Sequence, residues 1–243
     1  MTVKLGMCGF TIGAAQYYRQ FRVVEVQQTF YDPPATSTLE RWRAQSPADF
    51  EFTMKAWQVI THLGTSRTYR RLKSPFSEQE RAEAGGFRST PTVFRAWERT
   101  LECARILRAT AILFQCPASF RCTEENIASM RAFFARIDRP PAVRLMWEPR
   151  GPWPDDVVRS ICHDLDLIHA VDPFIRPSVT PELLYWRLHG NTSHYARYTD
   201  DELRQIDGWL RDHGDADAYV LFNNVPRIHD VRRFRELRLG SGA

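Results

Sequence analysis

Eight short apolar runs recur along this chain of 243 residues, separated mostly by segments of helix length. Such alternation is typical of an α/β fold with a parallel sheet, and eight parallel strands are the number that closes a barrel. The sequence therefore predicts one TIM-type (β/α)8 barrel over residues 1–240 and a flexible tail at 241–243. The predicted strands are Val3–Cys8, Val23–Phe30, Phe50–Lys55, Ala111–Gln115, Val143–Glu148, Leu167–Val171, Leu184–His189 and Tyr219–Phe222.

The composition is that of an ordinary globular protein, with 43% hydrophobic and 26% charged residues. No apolar run approaches the roughly 20 residues that a membrane-spanning helix needs, and the first residues do not resemble a secretory signal. The five cysteines include no CxxC pair, which argues against a disulfide framework or a thiolate zinc site. We therefore expect a cytoplasmic protein with reduced thiols and no membrane partner.

Helix starts are marked by local capping signals. Thr90 before Pro91 reads as an N-cap with proline at the first helical position. Ser37 with Glu40, and Thr199 with Glu202, fit the S/T-x-x-E capping box. These signals place helices between the predicted strands.

The connection after the third strand is unusually long. From His62 to Thr92 it carries several glycines and many polar residues, far more than the roughly 2 to 6 residues of a typical βα loop. We interpret it either as a lid over the active-site face or as a disordered insertion.

Residue alternation within the strands separates an apolar face from a polar one. In a barrel the apolar sets meet the helices, so the polar sets must point into the lumen. Because buried charges are costly unless they are paired, these residues are expected to form an ion-pair network, which is either purely structural or part of an active site. Its predicted members are Glu25, Glu51, Lys55, Arg144, Glu148 and Arg187.

Polar groups also follow the C-terminal ends of most strands. Barrel enzymes place their catalytic residues at these ends, which meet at one face of the fold. The sequence therefore predicts a polar-lined C-terminal mouth formed by Thr29, Tyr31, Lys55, His62, Gln115, Glu148, Arg150, Asp172, His189, Asn223 and Asn224.

Several ordered motifs resemble those of a known family. They are VVEVQQTFYDPP, FEFTMKA with the following THL, ILFQCPASF, WEPRG, YWRLHG and YVLFNN. Together they are similar to the YecE-like family, the uncharacterised group called domain of unknown function 72. The resemblance covers the chain from about Gly9 to Asn224 and implies a β/α barrel. It places the family's characteristic polar positions on Glu25, Thr29, Tyr31, Lys55, His62, Gln115, Glu148, Arg150, Asp172, Arg187, His189 and Asn223.

The leading functional hypothesis is a hydrolase or lyase acting on a phosphorylated or nucleic-acid substrate. Its catalytic residues would be Glu25, Lys55, Glu148 and His189, with a glutamate as general base and His189 as general acid. Lys55 would alternatively form a Schiff base, or simply an ion pair with Glu25 or Glu148. The substrate-binding residues would be Thr29, Tyr31, His62, Gln115, Arg150, Arg187 and Asn223.

Two further interpretations remain open from the sequence. A divalent metal would be held by Glu25, Glu148, Asp172 and His189, contributed by separate strands. A non-catalytic binding protein would instead use the mouth to capture a sugar, nucleotide or nucleic-acid strand, with aromatic side chains such as Tyr31, Trp153 and Tyr198 stacking on rings.

Overall fold

The computed structural model describes residues 2–240 as a closed barrel of eight parallel strands. Each strand pairs with its neighbour in sequence, and the last strand pairs with the first. This confirms the predicted fold class. The strands are β1 (Val3–Cys8), β2 (Val23–Val26), β3 (Glu51–Lys55), β4 (Ala111–Gln115), β5 (Arg144–Glu148), β6 (Ile168–Val171), β7 (Leu183–Leu188) and β8 (Asp217–Phe222).

Helices surround the barrel in all but one of the connections between strands. They are α1 (Ala14–Gln20), α2 (Gln28–Tyr31), α3 (Thr36–Gln45), α4 (Gln58–Thr61), α5 (Glu78–Glu83), α6 (Pro91–Leu107), α7 (Glu124–Arg136), α8 (Asp155–Asp164), α9 (Asp200–Asp212) and α10 (Arg227–Gly240), with a 3-10 helix at Arg67–Arg71. The link from β6 to β7, all within the described part of the chain, contains no helix. The barrel therefore departs from the (β/α)8 pattern at that link.

Two separate apolar clusters result from the alternation of residues along the strands. The larger lies between the barrel and its helices and includes Phe52, Trp147 and Trp186. The smaller fills the lumen and includes Leu113 and Met146. The predicted division of the faces is confirmed, but the lumen holds apolar side chains as well as polar ones.

The polar residues of the lumen form two layers rather than one network. At the N-terminal end, Glu51 pairs with Lys4 at 2.7 Å and accepts a hydrogen bond from the Tyr219 hydroxyl at 2.8 Å. Arg144 is exposed, so its predicted place in a buried network is wrong. The other predicted members lie at the C-terminal end.

Two local predictions need correction. The second strand ends at Val26, because Gln27 already has a helical backbone conformation. Gln27 is the N-cap of the short helix α2, which carries Thr29 and Tyr31. Helix α3 begins one residue earlier than its predicted cap, with Ala35 at the N-cap and no side-chain capping bond, so the capping box predicted at Ser37 is wrong.

The long connection after β3 is folded and packed against the barrel. Phe87 is fully buried against Phe114 and Phe133, and its backbone N–H donates to the Ile60 carbonyl at 2.9 Å. The Tyr69 hydroxyl donates to the His62 carbonyl at 3.0 Å. These contacts contradict the interpretation as a disordered insertion.

Within residues 2–240, no helix has both the length and the apolar character needed to cross a membrane. The tail predicted at 241–243 lies outside the described residues.

Thr199→Ala is expected to lower the free energy of unfolding by about 1 kcal/mol, because it removes the N-cap of α9. The Thr199 side chain accepts from the Glu202 N–H at 3.2 Å, and Glu202 accepts from the Thr199 N–H at 2.7 Å. Ser37→Ala is the control, because Ser37 lies inside α3 and caps nothing; its effect should stay below about 0.5 kcal/mol. Urea denaturation followed by circular dichroism measures both, and equal losses would contradict the assignment.

Candidate active site

A layer of buried polar side chains closes the lumen below the C-terminal ends of the strands. Because a buried charge is costly unless it is paired, the partners of each member determine what chemistry the layer supports. Its members, each at most 8% exposed, are Glu25, Lys55, Gln115, Glu148 and Arg187.

Arg187 lies at the centre of this layer and pairs with two carboxylates from different strands. Its Nε and Nη2 donate to Glu25 at 3.0 and 2.8 Å, and its Nη1 donates to Glu148. Burial alone raises the pKa of both glutamates. The charges of Arg187 on Glu25, and of Arg150 and Arg187 on Glu148, outweigh burial and hold both pKa values below the ordinary range. Both carboxylates therefore remain ionised and are weak proton acceptors.

Glu25 is further immobilised by neutral donors. The Tyr185 hydroxyl donates to Glu25 at 2.8 Å and lies 2.8 Å from the Thr53 hydroxyl, which extends the network from β2 to β7 and on to β3. The Gln27 amide donates to the other carboxylate oxygen. With both oxygens engaged, Glu25 is suited to positioning Arg187 and not to proton transfer.

Lys55 carries the one amine of this layer, and it has no counter-ion. Among residues 2–240, no side chain accepts a hydrogen bond from its Nζ, which lies 3.6 Å from the centre of the Phe30 ring. Burial, together with the charge of Arg187, lowers the pKa of Lys55 to about 7, against the opposing effect of the glutamates. A substantial fraction of this amine is therefore unprotonated at neutral pH.

His189 forms a hydrogen-bonded pair with Asp172 beside this layer. Its Nδ1 lies 3.3 Å from Oδ2 of Asp172, and its Nε2 lies 2.8 Å from Nη2 of Arg150. Because a guanidinium only donates hydrogen bonds, Nε2 accepts and the ring proton is carried by Nδ1. A histidine held by a carboxylate in this tautomer has the arrangement of a general base.

The remaining predicted residues occupy supporting positions. The Thr29 hydroxyl donates to the Lys55 carbonyl at 2.7 Å and fixes the end of β3. His62 is buried against Phe30, and burial lowers its pKa to about 3, so it is neutral. The amide oxygen of Gln115 accepts a hydrogen bond from Nη1 of Arg187 at 3.4 Å.

Three predicted residues, Asn224, Trp153 and Tyr198, are buried and do not serve the mouth as expected. Asn223 donates its backbone N–H to the Leu188 carbonyl at 2.7 Å, and its neighbour Asn224 is buried and bonded to Asp230 at 2.6 Å. Trp153 and Tyr198 are 3% and 1% exposed, so they cannot stack on a ligand, and that interpretation is wrong for both.

The four predicted metal ligands are not brought together as a coordination set. Glu25 and Glu148 share Arg187, while Asp172 pairs with His189. Across residues 2–240, no group of three or more His, Cys, Asp or Glu side chains is arranged to hold a metal ion. A guanidinium lies between the two acids where the cation would have to bind, so these residues do not fit a metal.

Two cavities open at the C-terminal face of the barrel. One, of about 440 Å³, is lined by Glu148, Arg150, Asp172 and His189. The other, of about 710 Å³, lies by the ends of β1 and β2 and is lined by Tyr31 and by Arg70, Arg71, Lys73 and Arg227. The sequence analysis missed these four cations. Arg70, Arg71 and Lys73 belong to a basic cluster at residues 67–73 within the long connection, in a chain where basic residues occur throughout, and Arg227 lies far from it in sequence.

A closed parallel barrel with a charged layer and cavities at the C-terminal ends of its strands is the arrangement of TIM-barrel proteins. Residues 14–240 match the family described as protein of unknown function DUF72, and the chain belongs to this family. The resemblance inferred from the motifs is thus confirmed.

Known proteins similar to this chain support both the family and the fold. The UPF0759 protein YunF of Bacillus subtilis is 28% identical over 116 residues, a match that spans 47% of this chain and 35% of YunF. A solved DUF72 family protein of Enterococcus faecalis has a TM-score of 0.71 at 18% identity, over 96% of this chain and 92% of that one.

Two structures outside the family share the barrel. D-psicose 3-epimerase has a TM-score of 0.60 at 12% identity, over 96% of this chain and 89% of that one. Endonuclease IV from Thermus thermophilus has a TM-score of 0.55 at 9% identity, over 97% of this chain and 98% of that one. At these identities the likeness shows the fold alone.

Proposed function

We propose that the protein is a lyase that acts on phosphorylated carbonyl compounds through an imine on Lys55. The observation that carries the proposal is the pairing in the charged layer. Arg187 forms ion pairs with both glutamates, and the buried Lys55 amine forms none with any acidic side chain of residues 2–240. A lysine desolvated beside other cations is the environment in which an amine acts as a nucleophile.

In the first step, the unprotonated Nζ of Lys55 adds to the carbonyl carbon of the substrate. The carbonyl oxygen takes up one proton from Nζ and one from solvent and leaves as water, and a protonated imine remains. The negative charges of Glu25 and Glu148 favour the protonated form of Lys55, so they also stabilise the positive charge of the imine nitrogen. Electrostatic stabilisation of this kind favours the charged intermediate over the neutral reactants.

In the second step, Nε2 of His189 takes a proton from the carbon next to the imine. The C–H electron pair moves into the imine and forms an enamine, which then expels the phosphate from the following carbon as its C–O bond breaks. Arg150 donates from Nη2 to Nε2 of His189 and from Nε to Glu148, so this step requires the partly exposed Arg150 side chain to release Nε2 first. Water finally hydrolyses the imine and frees Lys55.

The substrate class follows from this chemistry. It requires an aldehyde or ketone with a phosphate ester two carbons away, a pattern that glyceraldehyde 3-phosphate and an abasic nucleotide within a strand both satisfy. The same barrel occurs in D-psicose 3-epimerase and in endonuclease IV. Because one fold hosts many activities, the proposal depends on Lys55 and not on these neighbours.

The test is to trap the imine. Protein incubated with glyceraldehyde 3-phosphate or an abasic oligonucleotide is reduced with borohydride, digested and analysed by mass spectrometry. We expect the adduct on Lys55, and none in Lys55→Arg. His189→Ala should still give the adduct but release phosphate about 100-fold more slowly, the usual contribution of a general base. Phosphate release that persists in Lys55→Arg would indicate a hydrolase, and binding without turnover would indicate a non-catalytic binding protein; either result would overturn the proposal.

A further inference from the structure

The larger cavity at the mouth concentrates positive charge that nothing in the described chain neutralises. Arg70, Arg71, Lys73 and Arg227 line it. Within residues 2–240, none of the four forms an ion pair with an acidic side chain. This separates them from the arginines on the helices, many of which pair with a neighbouring carboxylate, as Arg131 does with Asp164 at 2.6 Å.

The one acidic residue that lines the cavity, Asp32, is already engaged. Its carboxylate accepts a hydrogen bond from the Ser74 hydroxyl at 2.7 Å and from the backbone N–H of Lys73 at 3.2 Å. Asp32 therefore orders the segment that carries the cations and leaves the Lys73 ammonium unpaired. The lining side chains together keep an excess of positive charge.

Two of the four cations are held in place. The guanidinium of Arg71 lies 3.6 Å from the centre of the Tyr31 ring, a cation–π contact that fixes its plane. Arg227 is partly buried and donates to the Asn224 carbonyl at 3.1 Å, while its Nε is buried without a partner among the described residues. A buried donor without an acceptor is unfavourable unless a ligand or water satisfies it.

This cavity also lies next to the proposed nucleophile. The Tyr31 ring that supports Arg71 is 5.9 Å from the Lys55 ammonium, so both cations contact one aromatic side chain. Tyr31 lines the cavity and thereby connects Arg71 with the Lys55 amine.

We infer that this cavity is a phosphoryl-binding site, in which Arg70, Arg71, Lys73 and Arg227 hold the phosphate of the substrate. The inference rests on the proposed function for its choice of substrate and adds the location of the anionic group. Guanidinium groups bind phosphate oxygens through paired N–H donors, and an ammonium adds a point charge. Arg187, one of the substrate-binding residues expected from the sequence, is already paired with Glu25 and Glu148.

The test is binding of inorganic phosphate and of a short single-stranded oligonucleotide, measured by calorimetry and by NMR. Arg71→Ala and Lys73→Ala are each expected to weaken binding about 10-fold, the loss of one charge-assisted contact. Arg67→Ala is the matched control, because Arg67 is exposed on the same 3-10 helix and does not line the cavity. Arg67→Ala should change the affinity for inorganic phosphate by less than about 2-fold at fixed ionic strength.

The two probes identify the source of the phosphate. Tight binding of inorganic phosphate supports a phosphomonoester, and binding of the oligonucleotide alone, with a steep salt dependence, supports a phosphodiester backbone. Equal affinities for the wild type, Arg71→Ala and Lys73→Ala would overturn the site. Lys55→Met should keep phosphate binding, so failure of imine trapping would remove the proposed lyase and leave the phosphoryl site intact.

Discussion

Replacing Arg187 with methionine is expected to lower the free energy of unfolding by roughly 3–5 kcal/mol, as when one partner of a buried ion pair is removed. The guanidinium is 1% exposed and supplies the counter-charge for Glu25 and Glu148. Methionine fills a comparable volume, so the loss reflects charge more than packing. Two ionised carboxylates would be left in the lumen without a cation between them.

The control restores charge balance without restoring the arginine. Adding Glu25→Gln and Glu148→Gln to Arg187→Met should recover most of the lost stability in urea denaturation at pH 7. Because the native pKa of both glutamates is lowered, their contribution is present above the unfolded value of about 4.3 and is lost as the pH falls through the native value. The deficit of Arg187→Met should therefore shrink in acid. A deficit that the amides do not rescue would contradict the role of Arg187 as a counter-ion.

Lys55→Met is expected to abolish imine formation and to stabilise the fold at pH 6. Burial lowers the pKa of Lys55 to about 7 from 10.5, so between these values the unfolded chain binds more protons than the native protein. Native stability therefore rises with pH across this window, and the lysine is most unfavourable below it. A pKa shift of this size corresponds to roughly 3–5 kcal/mol of unfolding free energy. The cation–π contact with Phe30 partly offsets this cost, because it favours the charged amine.

The measurement is the difference in unfolding free energy between wild type and Lys55→Met from pH 6 to pH 10. The advantage of the variant should fall steadily as the pH rises, because the native wild type holds Lys55 unprotonated in this window and the proton that it releases on folding costs less free energy at higher pH. Lys73→Met, at an exposed position, controls for the loss of one positive charge and should shift stability by less than about 0.5 kcal/mol at pH 6. A variant less stable than the wild type at pH 6 would show that Lys55 is a structural cation.

The strands were predictable because burial on two faces leaves a strong periodic signal. Strand β3 alternates Phe52 and Met54 toward the helices with Thr53 and Lys55 toward the lumen, and its predicted range was wrong by one residue. The end of β2 was not predictable from periodicity. Phe30 continues the apolar pattern of that strand, although the backbone has already turned into α2.

The identity of the site was more predictable than its pairing. Glu25, Lys55, Glu148 and Arg187 were all expected in the lumen, but either cation was a chemically sensible partner for the glutamates. Which cation pairs with the glutamates depends on how far each side chain extends across the barrel, and the spacing of the residues in sequence does not encode this distance. The basic cavity was missed for another reason: only three of the 33 basic residues are lysine, and among so many arginines a local cluster of basic residues does not stand out.

The hydrogen bonds that cross the lumen also bear on how the chain folds. Glu25 and Thr53 belong to the first four strands, and their partners Arg187 and Tyr185 belong to β7. A half-barrel ending after β4 would leave Glu25 without Arg187, the cation that forms hydrogen bonds to its carboxylate. We therefore expect neither half to be stable as an isolated fragment, and the barrel to unfold in a single cooperative transition.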